Sequence, residues 1–307
     1  MTTARRNAVD LHCHTSCSDG ILAPLALYHE MSRYGLRLVA ISDHDTLDGY
    51  RQLRDAGLGR DASPDGPKLI PAVEINSVAE GRPELRESEL HVLGYGVDPD
   101  DHEFEAALGR QRDYRRVRFW EGVDRLRQIG MPVDDVVEQV VAGAGASLGR
   151  PHLGQALVLA GWAASVDDAF RRIVGRTGPG YVPKRGMGPR DAIEAIRQAR
   201  GVAVLAHFPE AVDRPEVLDL LESWGLGGLE VYYGGAGHGF PAERIAALAA
   251  LAEERRLLPT GGSDYHGHPM DDGRPVTYAD AEATTYVPDE VGERLLEALG
   301  TARAASR

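Results

Sequence analysis

The sequence predicts an α/β fold in which seven parallel strands alternate with helices, either as a barrel or as an open sheet. Short apolar runs alternate with helical patterns through the first hundred residues and again after residue 200. This order is expected when each helix crosses between two neighbouring parallel strands. The chain has 307 residues and 43% hydrophobic content, which is enough for one large core.

The strands are predicted from short apolar runs bounded by polar or turn-forming residues. They are 8–12, 36–42, 68–73, 90–95, 202–206, 228–232 and 257–261. Pro24 opens a predicted helix that Gly35 closes, between the first two strands. The Ala/Leu-rich segment 242–256 predicts another helix between the last two.

Residues 99–198 break this alternation. They contain helical patterns over 101–129, 133–141, 151–160 and 166–175, and no convincing strand. The sequence therefore predicts a discontinuous strand-bearing domain, residues 1–98 and 199–307, with 99–198 as a helical insertion on its functional face.

Composition limits the partners and the compartment. The formal net charge of −13 argues against binding to long nucleic acid or to an anionic membrane. No apolar run approaches the roughly 20 residues of a membrane span. Cys13 and Cys17 are too few and too close for a disulfide framework, which favours a reducing compartment. We expect a cytoplasmic protein, and the sequence leaves its oligomeric state open.

Histidines and acids recur where the predicted strands end. The motifs are Asp10–His14 (DLHCH), Ser42–Asp45 (SDHD), Val73–Ile75 (VEI), Glu89–His91 (ELH), Leu205–His207 (LAH) and Gly262–His266 (GSDYH). Because the carboxyl ends of parallel strands meet at one rim, we expect one shared polynuclear metal site there. Mixed imidazole and carboxylate ligands suit zinc, manganese or iron better than calcium or magnesium.

These motifs resemble the PHP (polymerase and histidinol phosphatase) family of metallophosphoesterases. The matching segments are DLHCHTSCSDG (10–20), ISDHD (41–45), PAVEIN (71–76), HVLGYG (91–96), AVLAH (203–207) and GSDYHG (262–267). Within the family the chain is most similar to stand-alone enzymes with a helical insertion, which include nucleoside 3′,5′-bisphosphate phosphatases and RNA-end exonucleases. The resemblance implies a distorted seven-stranded (β/α)7 barrel.

The resemblance also implies nine ligands for two or three divalent ions. The first ion would be held by His12, His14 and Asp264, with Glu74 bridging to the second ion. His91 and His207 would complete the second site. The third ion would be held by Asp19, His44 and His266. A metal-bound hydroxide would be the nucleophile, and the general acid stays unassigned. Asp19 also fits an ordinary turn, because it lies in Ser18-Asp19-Gly20.

Residues around the expected rim have more than one interpretation. Segments similar to those of Arg150 and Lys184 contact substrate phosphate in family members, and we predict that role for both. The basic stretch 110–118 is predicted to be a solvated helix face. Asp43 and Asp45 flank His44 and are interpreted as orienting imidazoles, with helix capping by Asp45 an equal alternative.

The function predicted from these observations is hydrolysis of a phosphomonoester of a nucleotide or another small phosphorylated metabolite. The alternative is a phosphodiesterase, either a 5′–3′ exonuclease on short RNA or a cyclic-phosphate hydrolase. An insertion that caps the rim favours small substrates, and the acidic net charge disfavours long nucleic acid. A non-catalytic PHP module and a non-phosphate amidohydrolase are weaker alternatives, because every ligand position is present and basic residues flank the rim.

Overall fold

One seven-stranded sheet dominates the computed structural model, which describes residues 7–59, 66–79, 85, 87, 89–235, 239–269 and 274–305. The strands neighbour one another in chain order. They are β1 (Val9–Asp10), β2 (Leu38–Ile41), β3 (Lys68–Val78), β4 (Glu89–Tyr95), β5 (Val202–Leu205), β6 (Gly228–Tyr233) and β7 (Leu258–Gly262). All seven predicted strands are confirmed, and so is the α/β class.

The first and last strands meet, so the sheet is nearly closed into a distorted barrel. The backbone N–H of Leu11 donates to the carbonyl oxygen of Gly261 at 3.1 Å, and that of Asp264 donates to His12 at 2.7 Å. A β-carbon on Gly262 would lie 2.3 Å from the His12 nitrogen, which is shorter than any tolerable contact. Glycine is therefore required where the two strands approach each other.

The direction of β4 corrects the expectation of uniformly parallel strands. β4 runs antiparallel to both β3 and β5, whereas the other neighbouring pairs are parallel. Only residues 79–88 connect β3 to β4. A parallel crossover needs a dozen or more residues and usually a helix, so this short connection reverses the chain.

Eleven helices accompany the sheet in the described part of the chain. They are α1 (Pro24–Arg33), α2 (Asp48–Asp55), α3 (His102–Gln128), α4 (Asp134–Gly143), α5 (Arg150–Leu159), α6 (Val166–Ala169), α7 (Pro189–Gln198), α8 (Pro215–Ser223), α9 (Ala242–Arg255), α10 (Tyr278–Thr284) and α11 (Asp289–Ala305). The predicted helix over 166–175 is confirmed, with α6 continuing directly into a π-helical segment, Phe170–Val174. None of the described helices has the length and apolar composition that a membrane span needs.

The helices between β4 and β5 pack in two different ways. Phe119 and Val123 of α3 form a separate apolar cluster with Leu153 of α5. Ile193 and Ile196 of α7 instead join the core that surrounds the sheet. Because α7 packs with the sheet and not with the separate cluster, the boundaries of the helical insertion, residues 99–198, stay a prediction.

Candidate metal centre

The nine predicted ligands converge at one rim of the barrel. Eight of them contribute nitrogen or oxygen atoms to three overlapping groups, each with atoms within 4.8 Å of one another. The groups are His12, His14, Glu74 and Asp264; His14, Asp19, His44 and His266; and His44, Glu74 and His91. His207, the ninth predicted ligand, lies beside the third group, with its Nε2 3.1 Å from His91 Nδ1.

The sequence pattern suggested that these residues follow the ends of strands, but two of them do not. Glu74 lies in the middle of β3, which continues past the rim to Val78. His91 is the third residue of β4. Because β4 is antiparallel, its beginning lies beside the carboxyl ends of the parallel strands, and this brings His91 to the same rim.

Glu74 is the centre of the cluster and is buried. Its Oε1 lies 2.7 Å from His91 Nδ1 and 3.0 Å from His207 Nε2. Its Oε2 lies 3.0–3.2 Å from three other imidazoles, those of His12, His14 and His44. The two carboxylate oxygens thus face two different sets of nitrogen atoms, which is the arrangement that a bridging ligand needs.

Asp264 and Asp19 complete the cluster on the other side. Asp264 Oδ1 lies 3.2 Å from the Nε2 atoms of both His12 and His14. Asp19 Oδ1 lies 3.3 Å from His266 Nε2, and Asp19 Oδ2 lies 3.6 Å from His44 Nε2. Asp19 therefore belongs to the cluster in addition to lying in a turn.

Unpaired polar atoms test whether these residues fit metal ions. Within the described residues, both ring nitrogens of His14, Nδ1 of His44 and Oδ1 of Asp19 are buried without a well-formed hydrogen bond. Leaving such atoms unpaired costs about 1–3 kcal/mol each. Ligation of cations would satisfy them, and imidazole with carboxylate is a donor set that zinc, manganese and iron accept.

The charge state of Glu74 agrees with that interpretation. Burial alone would raise the pKa of the carboxyl group, but the imidazoles of His44 and His91 hold it well below its usual range. The group is therefore in the ionised form that binds cations.

The backbone is strained at two of the predicted ligands. His207 has φ 28° and Asp264 has φ 48°. Residues other than glycine adopt such angles at a cost of about 1–3 kcal/mol, and they do so mostly at functional sites.

Glu230 is a site residue that sequence reasoning missed. It is fully buried on β6. Its Oε1 lies 2.9 Å from His12 Nδ1, and its Oε2 accepts the backbone N–H of His207 at 2.8 Å. Because Glu230 engages Nδ1 of His12, the other ring nitrogen, Nε2, faces the cluster. A single acid inside the apolar strand Gly228–Tyr233 (GLEVYY) was the signal that could have identified it.

Neither interpretation of Asp43 and Asp45 is observed. Asp43 accepts hydrogen bonds at 2.7 Å from Thr15 and Ser18, which fixes the loop after β1. Asp45 accepts from Arg115 Nη1 at 3.1 Å. Helix α2 has Leu47 as its N-cap and no side-chain cap.

A cavity of about 170 Å³ lies between the cluster and the helices that follow β4. Asp19, His44, His91 and His266 line the cluster end. Apolar lining is provided by Phe119, Leu153, Phe170, Val174 and Val182. Cationic lining is provided by Arg115, Arg118, Arg150, Lys184 and Arg185. Arg150 and Lys184 therefore lie beside the cluster, as their predicted role requires.

The prediction of a solvated face over 110–118 is wrong for two residues, because α3 turns Arg115 and Arg118 toward the cavity. Arg118 Nε and Nη2 donate to the carbonyl oxygen of Val182 at 2.9 and 2.7 Å. No carboxylate of the described residues lies within ion-pair distance of Arg118. Burial, and next the charge of Arg150, lowers the pKa of Arg118 to about 10.

Glu89 lies between the two cations that the sequence assigned to substrate. Its Oε1 is 2.6 Å from Arg150 Nη2, and its Oε2 is 2.9 Å from Lys184 Nζ. Burial lowers the pKa of Lys184 to about 8, although Glu89 opposes this shift. Lys184 and Arg150 hold the pKa of Glu89 well below its usual range, against the effect of burial.

Comparison with known proteins gives several matches over most of the chain. The chain is 31% identical over 262 residues to a 5′-3′ exoribonuclease of Haemophilus influenzae, which covers 84% of this chain and 89% of that protein. It is 28% identical over 285 residues to a 3′,5′-nucleoside bisphosphate phosphatase of Chromobacterium violaceum. That alignment covers 89% of this chain and 91% of the phosphatase. No model of a known protein family matches the chain.

A solved structure shares the whole fold. It is the crystal structure of a protein assigned as a metal-dependent phosphoesterase from Bifidobacterium adolescentis, with a TM-score of 0.77 and 30% sequence identity. The superposition covers 95% of this chain and 96% of that one.

Proposed function

The chain belongs to the PHP family and is a metal-dependent phosphoesterase; we propose that it hydrolyses phosphomonoesters of nucleotides or other small phosphorylated metabolites. The observation that carries this proposal is the cavity of about 170 Å³ beside the nine-residue cluster. Sites for drug-sized ligands typically measure about 300–1,000 Å³, so this cavity suits a small substrate better than an oligonucleotide.

The nine clustered side chains are the proposed ligands of two or three divalent ions, manganese, zinc or iron. Bound ions of this kind polarise phosphoryl oxygens and lower the pKa of water to near neutrality. The chain itself would supply the Glu74 carboxylate, with each oxygen toward a different set of imidazoles. Glu230 holds His12 in one orientation, and Tyr233 does the same for Asp264 by donating to its Oδ2 at 2.9 Å.

Cations and apolar side chains would divide the substrate between them. Arg118, Arg150 and Lys184 offer N–H groups to phosphoryl oxygens, and arginine can do so with two parallel hydrogen bonds. Phe119 and Phe170 offer an apolar surface to the organic part of the substrate. The cationic lining also favours a phosphorylated substrate over the neutral amides that amidohydrolases cleave.

The alternative is a phosphodiesterase, and one finding favours it. The Haemophilus influenzae relative, which is named as a 5′-3′ exoribonuclease, is more similar in sequence to this chain than the bisphosphate phosphatase is. A short RNA end or a cyclic phosphate would then occupy the same cavity. The net charge of −13 still disfavours long nucleic acid as a partner.

Both cysteines are free and buried, which supports the proposed cytoplasmic location.

One assay separates the two activities. Manganese-loaded protein is given a panel of phosphomonoesters, their methyl diesters, cyclic phosphates and 5′-labelled short RNA, and kcat/KM is measured for each. His12→Ala is the background control for contaminating phosphatase. We expect the monoesters to be cleaved at least tenfold faster than the matched diesters. Higher kcat/KM on RNA ends would replace this proposal with the exonuclease.

A further inference from the structure

We infer that Glu89 lowers the affinity of the cavity for phosphate, so that the inorganic phosphate product is released readily. The inference deepens the proposed function and rests on it, because it concerns the phosphate of the same site. It starts from the position of the Glu89 carboxylate between two cavity cations.

The three charges form a compact group next to the cluster. Arg150 and Lys184 line the cavity, and Glu89 bridges them at 2.6 and 2.9 Å. The Lys184 side chain is only 4% exposed and that of Arg150 is 18% exposed, so water screens these charges weakly. Because Glu89 offsets the charge of one of the two cations, the group of three side chains carries one net positive charge.

Strand geometry fixes Glu89 at this place. Glu89 and His91 are two residues apart on β4, and residues with this spacing point to the same face of a strand. The strand that delivers His91 to the cluster thus also delivers an acid to the phosphate-binding end of the cavity. The Glu89 carboxylate presents oxygen atoms to the same N–H donors that would bind a phosphoryl group.

The other cavity cations show what the acid changes. Arg115 is paired with Asp45, and Arg185 with Glu121 near the surface. Arg118 donates instead to the carbonyl oxygen of Val182. Without Glu89, the buried Lys184 and the half-buried Arg150 would line the cavity with no anion between them. Such a pair, together with bound divalent ions, would bind inorganic phosphate tightly and slow each turnover at product release.

Titration calorimetry with inorganic phosphate tests the inference, on manganese-loaded protein and on protein treated with chelator. We expect Glu89→Gln to bind phosphate about tenfold more tightly in both states, because a nearby negative charge is removed. On the metal-loaded enzyme KM and kcat should both fall, with product inhibition strengthened. Glu89→Asp keeps the charge and should stay within threefold of the unmodified protein.

Glu121→Gln is the matched control, because it removes the carboxylate partner of another cavity cation, Arg185, at a more exposed position. It should change phosphate affinity less than twofold, as exposed pairs contribute little. The double variant Glu89→Gln/Lys184→Met restores one net charge and should return phosphate affinity to the original value. It carries the test even if Glu89→Gln alone does not fold.

Unchanged or weaker phosphate binding by Glu89→Gln would overturn the inference and make Glu89 a scaffold for the two cations. Phosphate binding by the double variant that is weaker than in the original protein would lead to the same conclusion. Phosphate binding does not depend on turnover, so the inference can fail while the proposed phosphatase activity stands, and the reverse also holds.

Discussion

Replacing Glu230 by glutamine tests whether a buried residue outside the ligand set controls metal binding. Both oxygens of Glu230 accept hydrogen bonds, one from His12 Nδ1 and one from the backbone of His207. Glutamine has one acceptor oxygen and one NH₂ group. One of the two donors would then face another donor inside the protein, with no water to replace the lost bond.

The size of the effect follows from that mismatch. A buried donor left without a partner costs about 1–3 kcal/mol, which corresponds to roughly 5- to 150-fold in an equilibrium or rate constant. Loss of a carboxylate that orients a metal-bound histidine typically costs about 10–100-fold in metal affinity or activity. We therefore expect Glu230→Gln to lower manganese affinity and kcat/KM by about tenfold or more.

Manganese affinity is measured by competition with a fluorescent chelator, and the thermal midpoint is measured without metal to separate folding from binding. Asp168→Asn is the control, because it removes a buried carboxylate that pairs with Arg172, outside the cluster. That variant should bind manganese normally. The reasoning is refuted if Glu230→Gln retains manganese affinity and kcat/KM within twofold of the original protein.

Three further predictions concern the ligands and the cavity cations. His12→Ala and Asp264→Ala should each abolish turnover and lower the metal content by at least one ion per chain; full metal content by elemental analysis would contradict the assignment. Arg150→Ala should chiefly raise KM and lower kcat/KM by roughly ten- to a hundredfold, the value of a desolvated charged hydrogen bond of about 1.5–3 kcal/mol; unchanged kinetics would make Arg150 structural. Arg118→Met should raise KM by about tenfold, whereas Arg116→Met, an exposed substitution on the same helix, should have no effect; equal effects of the two would remove Arg118 from the site.

The sequence predicted the strands and the residues that cluster at the rim because both depend on local patterns. Each strand is a short apolar run, and His12 and His14 stand together in one motif that is visible without the fold. Glu230 was missed for the opposite reason: its role depends on the near closure of the barrel, which brings His12, after β1, within 2.9 Å of a residue on β6. Arg118 was also missed, because a charged helix reveals which residues share a face but not what lies opposite that face.

The direction of β4 shows a different limit. Its apolar pattern is the same whichever way the strand runs, so the pattern did not distinguish parallel from antiparallel. The length of the connection over residues 79–88 carried that information. Without it, His91 was placed at the rim for a reason that does not hold, namely that it follows its strand.

The seam between the first and last strands has a consequence for how the protein matures. Asp10 accepts hydrogen bonds from Ser263, 253 positions along the chain, and the cluster needs side chains from both sides of this seam. A chain still under synthesis cannot complete the cluster until Asp264 and His266 have left the ribosome. Contacts at such sequence separation also form slowly. Uptake of ions at full affinity is therefore a late event, and it reports on closure of the barrel more directly than helix content does.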